Sequence, residues 1–233
     1  MNIAVSSRNV KWLTLLLFYG ILLTGTYLAR QLPNLFQLLA AHITDTPFAF
    51  NYNHGMVTLA TALLFYRYSG VQQTTTLMGN HRIKSLLFPL VLFTCYTIFG
   101  MNNNAGINRH LWALSTCLFA LLYNIMEEYA WRGYLGDALG KMHLIGKSII
   151  SGVAWAIWHL LVFQNFDQYG GFGIFFACCV VFSFILTFAI QRTRSILVAA
   201  TIHAFIIQLN MAAWLCMAFF ALLLLTWDRK QPS

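Results

Sequence analysis

Apolar runs of about 15–20 residues recur along this chain, each ended by a short polar stretch, which is the pattern of helices crossing a bilayer. The pattern predicts an all-α, polytopic integral membrane protein with about eight transmembrane helices. The first four runs are Trp12 to Ala29, Gly55 to Tyr68, Leu86 to Phe99 (with Pro89 near its start) and Leu111 to Trp131. The next four are Ile149 to Phe163, Phe172 to Ile190, Ser195 to Leu209 and Met211 to Trp227. Only Gln208 and Asn210 interrupt the last two. The longest connection, Arg30 to Asn53, carries Pro33, Asp45 and Pro47, and its middle, Leu35 to Leu39, suits an interfacial amphipathic helix. Gly133 to Lys147, with Gly136, Gly140 and Gly146, reads as a loop. Tyr27-Leu28-Ala29 lacks the small residue that a signal-peptidase site needs two positions before its alanine, so the first run is expected to stay as a helix.

Composition supports the same class. Hydrophobic residues make up 59% of the 233 and charged residues 9%, against roughly 25% charged in soluble chains. A single membrane-embedded domain over residues 1–233 is expected. The net charge of +8 does not form a nucleic-acid patch, because its cations fall between the apolar runs. With eight spans, Arg8, Lys11, Arg67, Arg82, Lys84, Lys141, Lys147, Arg192, Arg194, Arg229 and Lys230 share one side, and only Arg30 and Arg109 the other. The positive-inside rule then puts both termini in the cytoplasm. The five cysteines show no metal-ligand spacing and read as small buried hydrophobes. Trp12, Trp112, Trp214 and Trp227 read as interfacial anchors or lipid-facing bulk, and His42, His54, His81, His110 and His143 as interfacial.

The fourth run holds the only two glutamates in the chain, Glu127 and Glu128, with Arg132 close behind. A charged side chain in a membrane-buried helix costs about 2.5–3.5 kcal/mol on insertion scales, so such groups are functional candidates. Glu128 and Arg132, four residues apart, share a helix face and can form an ion pair. Glu127 points about 100° away, free to face a cavity as a general base. His159 in the fifth run and His203 in the seventh lie at similar depths, His203 roughly 12 Å in at 1.5 Å per residue. Carboxylates and histidines in one pocket activate water, with or without a metal. Other readings remain open: an Arg–Glu pair that only pins helices, a metal-dependent hydrolase using Glu127, His159 and His203, and a transporter.

At these residues the sequence resembles the CAAX protease and bacteriocin-processing family (CPBP, also called Abi), which are intramembrane glutamic proteases. The family's Glu-Glu-x-x-x-Arg motif stands here as Glu127-Glu128-Tyr129-Ala130-Trp131-Arg132. Its second motif, an aromatic residue followed four positions later by histidine, is Trp155 to His159, with Trp for the more usual Phe. The third brings His203. The resemblance, over roughly residues 80–210, implies an endopeptidase near the cytoplasmic face that needs no cofactor and binds no metal. It implies that Glu127 and His159 activate water, Glu128 and Arg132 support by pairing, and His203 stabilises the oxyanion. Substrates would be prenylated CAAX proteins or bacteriocin or pheromone precursors, with membrane lipid the other partner and a bacterial cytoplasmic membrane the setting. One position departs: many members place asparagine four residues after the third-motif histidine, where this chain has Ile207. Asn210, one turn further, is the candidate substitute. That departure keeps in view a catalytically silent scaffold or immunity protein of the same fold.

Overall fold

With no water in the hydrocarbon layer, every backbone N–H and C=O must be satisfied within its own segment, and apolar runs therefore form helices. The computed structural model describes residues 10–40, 42 and 51–227 and is helical throughout. Among the described residues the one β-type pairing is an isolated parallel bridge between Thr76 and Ser195. The order is α1 Trp12–Arg30, α2 Leu35–Ala40, α3 Tyr52–Tyr68, α4 Arg82–Phe99 and α5 Arg109–Glu128, then α6 Leu135–Ala138 and α7 Leu144–Val162. After these come α8 Phe172–Thr193, α9 Ile196–Ala204 and α10 Met211–Leu225. Each of the eight expected runs is a helix, and the short α2 lies where an interfacial helix was expected. Arg8, Asp45, Pro47, Arg229 and Lys230 lie outside the described residues.

By length and apolarity four helices qualify as membrane spans: α1, α4, α7 and α8. The others fall short for identifiable reasons. α3 has 17 residues and α10 has 15, whereas α5 is long but carries Arg109, His110, Asn124 and the two glutamates. α9 has only nine residues, all buried, and continues into a tight turn at Phe205–Ile207. It is an internal strut packed against α4, α5 and α8 rather than a lipid-facing span.

Three readings of the sequence need correction. The segment after Trp131 is not a loop: a π-helical turn, Tyr129–Tyr134, carries α5 directly into α6. Its glycine-rich look misled because Gly133 sits inside this turn, where a side chain would press on Ile196 and Tyr66. Of the cysteines, Cys178 is exposed on the outside of α8, whereas the other four are buried. Trp227 is no lipid-facing anchor: it is buried and donates its indole N–H to Asn80 Oδ1 at 3.0 Å.

Two apolar clusters flank the centre. One joins Phe88, Leu92 and Tyr96 of α4 to Ile196, Val198 and Ile202 of α9 and to Cys216 and Phe220 of α10. The other joins Phe18 and Leu22 of α1 to Trp131 and Tyr134 and to Trp155 and Trp158 of α7. Tyr129 and Phe182 touch both clusters and mark the seam. Since lipid is as apolar as the helix faces, close approach and interhelical hydrogen bonds must supply much of the cohesion. Tyr19 Oη donates to Ala154 O at 2.8 Å, Trp158 Nε1 to Thr26 Oγ1 at 2.9 Å and Tyr52 Oη to Phe119 O at 2.7 Å. At Gly152 a Cβ would lie 2.7 Å from Val180 Cα and 3.0 Å from Ser183 Oγ, so the missing side chain lets α7 and α8 close up.

At one end of the bundle, residues 74–80 form a strap over the α8–α9 turn. Thr76 N–H donates to Arg194 O at 3.0 Å, and Ile196 N–H to Thr76 O at 2.9 Å. Asp137 anchors the strap by accepting from Tyr66 Oη at 2.8 Å and from the backbone N–H groups of Thr74 and Thr75 at 2.9 and 3.1 Å. Gly79 adopts φ 64°, and a Cβ there would lie 2.1 Å from Thr193 O. We expect Gly79→Ala to destabilise the protein by about 1–3 kcal/mol, read as a lower unfolding temperature in detergent. An unchanged unfolding temperature would contradict the strap's role.

Candidate active site

The site grows from the end of α5. Twenty helical residues carry the chain into the bundle and end on Glu127 and Glu128, which are 1% and 0% exposed. The π-helical turn follows at once, and such turns recur at functional positions. Inside it Arg132 still reaches back one turn, its Nη1 lying 3.2 Å from Glu128 Oε1. Its other terminal nitrogen donates to Ser183 Oγ of α8 at 2.7 Å. The close α7–α8 contact at Gly152 is what brings Ser183 within range.

Glu128 also receives α9. His203 Nδ1 lies 2.9 Å from the same Oε1, and since a carboxylate oxygen only accepts, this nitrogen carries the proton. Glu128 is thus held by Arg132 on its own helix and by a histidine from another. Ser195 caps α9 by accepting from Val198 N–H at 3.3 Å, which sets where His203 falls.

Glu127 takes a different partner. The indole N–H of Trp155, on α7, donates to Glu127 Oε2 at 2.9 Å. The Tyr123 hydroxyl, one turn back on α5, also bonds to Glu127. One turn beyond Trp155, His159 Nδ1 donates to Trp155 O at 2.8 Å, so its Nε2 is the free nitrogen. The Trp155 ring is the hub. Arg132 Cζ sits 4.8 Å above it, and the rings of His159 and His203 meet it edge-on at 5.1 and 4.9 Å. Phe163 and Phe175 close over His159, each with its ring centre 5.0 Å away.

Six residues singled out from the sequence are thereby gathered: Glu127, Glu128, Arg132, Trp155, His159 and His203. Asn210 is placed elsewhere. It caps α10, its Oδ1 accepting from the N–H groups of Ala212 and Ala213 at 2.9 and 3.3 Å. Its amide nitrogen donates to Gly100 O and Gln208 Oε1 at 3.5 and 3.3 Å. Ile207 lies in the tight turn after α9 and packs against the apolar cluster. Among the described residues no group of three His, Cys, Asp or Glu side chains is arranged to hold a metal ion.

Three neighbours escaped the sequence reading, the first of them Tyr123. Ser183 looks like any small residue in an apolar run, and nothing in the run marks it as a partner of Arg132. His54, read as interfacial, is buried near the start of α3, and both ring nitrogens lack a protein partner. Its position beside the polar Asn51–Asn53 stretch suggested an end exposed to headgroups, but packing of α3 against α1 and α5 leaves it buried.

Fold and site define a polytopic α-helical membrane protein with a buried carboxylate–histidine centre. Residues 109–209 match the family model described as Type II CAAX prenyl endopeptidase Rce1-like. The chain is also similar to CAAX prenyl protease 2 of Methanococcus maripaludis, 34% identical over 100 residues. That alignment covers 39% of this chain and 37% of the relative, so the chain spans well under half of that protein. Both findings are similarities of the motif-bearing segment to CAAX prenyl proteases, the family whose motifs it resembles. The family-matched segment runs from the start of α5 past α9 and so contains all six gathered residues.

Removing one member of a buried ion pair leaves an uncompensated charge, at a cost of about 3–5 kcal/mol. Arg132→Met should therefore destabilise strongly, and Glu128→Gln in the same chain should restore part of the loss. Unfolding temperatures of the single and double variants measure this, and a fully additive result would argue against the pairing.

Proposed function

We propose that this chain is an intramembrane endopeptidase that hydrolyses a peptide bond with a glutamate-activated water. The observation that carries the reading is the convergence of Glu127, His159 and His203 on Trp155, from three different helices. Glu127 is the base, positioned by the Trp155 indole. The lone pair of His159 Nε2 accepts a hydrogen bond from the water and aims it. Glu127 takes the water's proton as its oxygen bonds to the carbonyl carbon, giving a tetrahedral oxyanion. His203, held by Glu128 through Nδ1, donates Nε2–H to that oxyanion. Glu127 then returns the proton to the leaving nitrogen, the C–N bond breaks, and an acid and an amine are released.

For substrate we propose a prenylated CAAX-type protein, because the similar archaeal protein is a CAAX prenyl protease; a bacteriocin- or pheromone-type precursor is the alternative. The chain would be one membrane domain of eight helices with both termini cytoplasmic, in a bacterial cytoplasmic membrane. A second reading, a non-catalytic scaffold or immunity protein of this fold, is favoured by one observation. Ile207 supplies no hydrogen-bond donor four residues after His203, and the Asn210 amide is committed to capping α10.

Glu127→Ala and His159→Ala should each abolish cleavage of a prenylated CAAX peptide in proteoliposomes. Full cleavage by either variant would sink the mechanism, and absence of cleavage by the parent with retained partner binding would favour the scaffold. Trp155→Phe keeps the ring but removes the N–H on Glu127. Loss of a hydrogen bond to a charged group is worth about 1.5–3 kcal/mol, so kcat should fall about 10- to 100-fold with KM little changed.

A further inference from the structure

His203 sits on a short helix with few polar handles. All nine residues of α9 are buried, and apart from Thr201 and His203 its side chains are apolar, Ala199, Ala200 and Ala204 among them. Apolar faces packed on apolar neighbours fix rotation and sliding poorly. The register of His203 against Glu128 is therefore set at the two ends of α9. One end is the bond to Glu128 itself. The other is the strap. Leu77 O accepts from Leu197 N–H at 3.0 Å and from Ser195 Oγ at 2.9 Å, beside the Thr76 bonds to Arg194 and Ile196. Asn80 N–H donates to Thr193 O at 3.0 Å.

The strap is fixed in turn to Asp137, a half-buried carboxylate. Its Oδ2 accepts from Tyr66 Oη and from the N–H groups of Thr74 and Thr75, and its Oδ1 from the hydroxyls of the same two threonines. Asp137 lies on α6, which the π-helical turn joins without a break to Glu128. Nine residues separate Glu128 from Asp137, and eight separate Ser195 from His203. Two helical arms of about 13 and 12 Å, at 1.5 Å per residue, thus run side by side. Gly133 lets them close up, since a Cβ there would lie 3.3 Å from Ile196 Cδ1. The arms are tied at one end by Glu128 and His203 and at the other by Asp137, through the strap, to Ser195.

We propose that Asp137 is a positioning residue that sets the register of His203 against Glu128. Its catalytic consequence rests on the endopeptidase reading above; the coupling itself does not. Without this anchor the strap and α9 shift together, and His203 leaves the place from which it serves the oxyanion. A displacement of about 1 Å costs on the order of 10²-fold in rate. Acceptor geometry rather than charge is what the anchor uses, because all five donors are neutral. Asparagine in its place keeps one oxygen for Tyr66 and the two N–H groups. The threonine hydroxyls, which accept as well as donate, turn to meet its NH2.

The test uses the full chain in nanodiscs, with its histidines labelled with nitrogen-15. The Nδ1–H protons of His203 on Glu128 and of His159 on Trp155 O then give separate magnetic-resonance signals. Each is assigned by its loss in His203→Gln or His159→Gln. Asp137→Ala should shift or broaden the His203 signal and leave that of His159 in place, and Asp137→Asn should restore it. On a prenylated CAAX peptide, Asp137→Ala should lower kcat about 10- to 100-fold with KM little changed, and Asp137→Asn should recover most of the loss. Should Asp137→Ala not fold, Ser195→Ala removes the Leu77 bond and the α9 cap together and should shift the His203 signal alone. Loss of both signals, loss of neither, or no rescue by asparagine would overturn the role. The spectra need no turnover. A shifted His203 signal in a protein that cleaves nothing keeps the coupling and discards the protease, whereas unchanged spectra in an active enzyme discard the coupling alone.

Discussion

Everything at the centre of this bundle depends on the oxygen of Glu128 that receives both Arg132 and His203. An unpaired carboxylate in a membrane interior is disfavoured strongly enough to expel the helix or take up a proton. Here Arg132 compensates from the next turn of the same chain segment, so the pair forms without waiting for another helix to dock. The histidine then adds α9, and the second guanidinium branch adds α8 through Ser183. One carboxylate thus ties α5, α8 and α9 at fixed depth and rotation, which apolar packing against lipid-like surfaces does poorly. Glu127 gains from this indirectly. With Glu128 occupied, its neighbour is left to Trp155 and Tyr123, and the two adjacent carboxylates acquire different surroundings.

The eight helices were legible because apolar run length is a direct physical signal. Their inequality was not. α9 reads as a span because all of Ile196 to Ala204 is buried in protein, and burial in protein selects the same apolar residues as burial in lipid. The continuation of α5 through Gly133 was hidden for a related reason. Glycine marks turns in a sequence, but here it permits close approach of Ile196 and Tyr66.

At the site the legible part was the set of charged and titratable residues, because each is improbable in a bilayer. What joins them was illegible. Ser183 and Tyr123 are ordinary in apolar helices, and only the contact of α7 with α8 across Gly152 makes Ser183 a partner of Arg132. His54 was misplaced because its neighbours in sequence are polar, while the helix that carries it packs against α1 and α5 and leaves it buried. Asn210 was judged on helical spacing from His203, but the helix ends at Ala204, and three residues of tighter turn destroy that phase. The asparagine then does what asparagine does best at a helix start and accepts from the first free N–H groups.

The substitution of Trp for Phe at residue 155 is where sequence and geometry meet most informatively. A phenylalanine there would pack against both histidines and lie under Arg132 equally well. Only an indole adds a donor, and it is spent on Glu127 rather than on a backbone carbonyl. A hydrogen bond to one carboxylate oxygen fixes the direction of the other, which for a base means that its free lone pairs point one way. The ring that carries the donor also separates the two charged neighbourhoods, with Glu127 on its N–H edge and Arg132 over its face. One side chain therefore orients Glu127 and also packs against the guanidinium that holds Glu128, giving the two adjacent carboxylates different surroundings that the Glu-Glu pair itself has no means to impose.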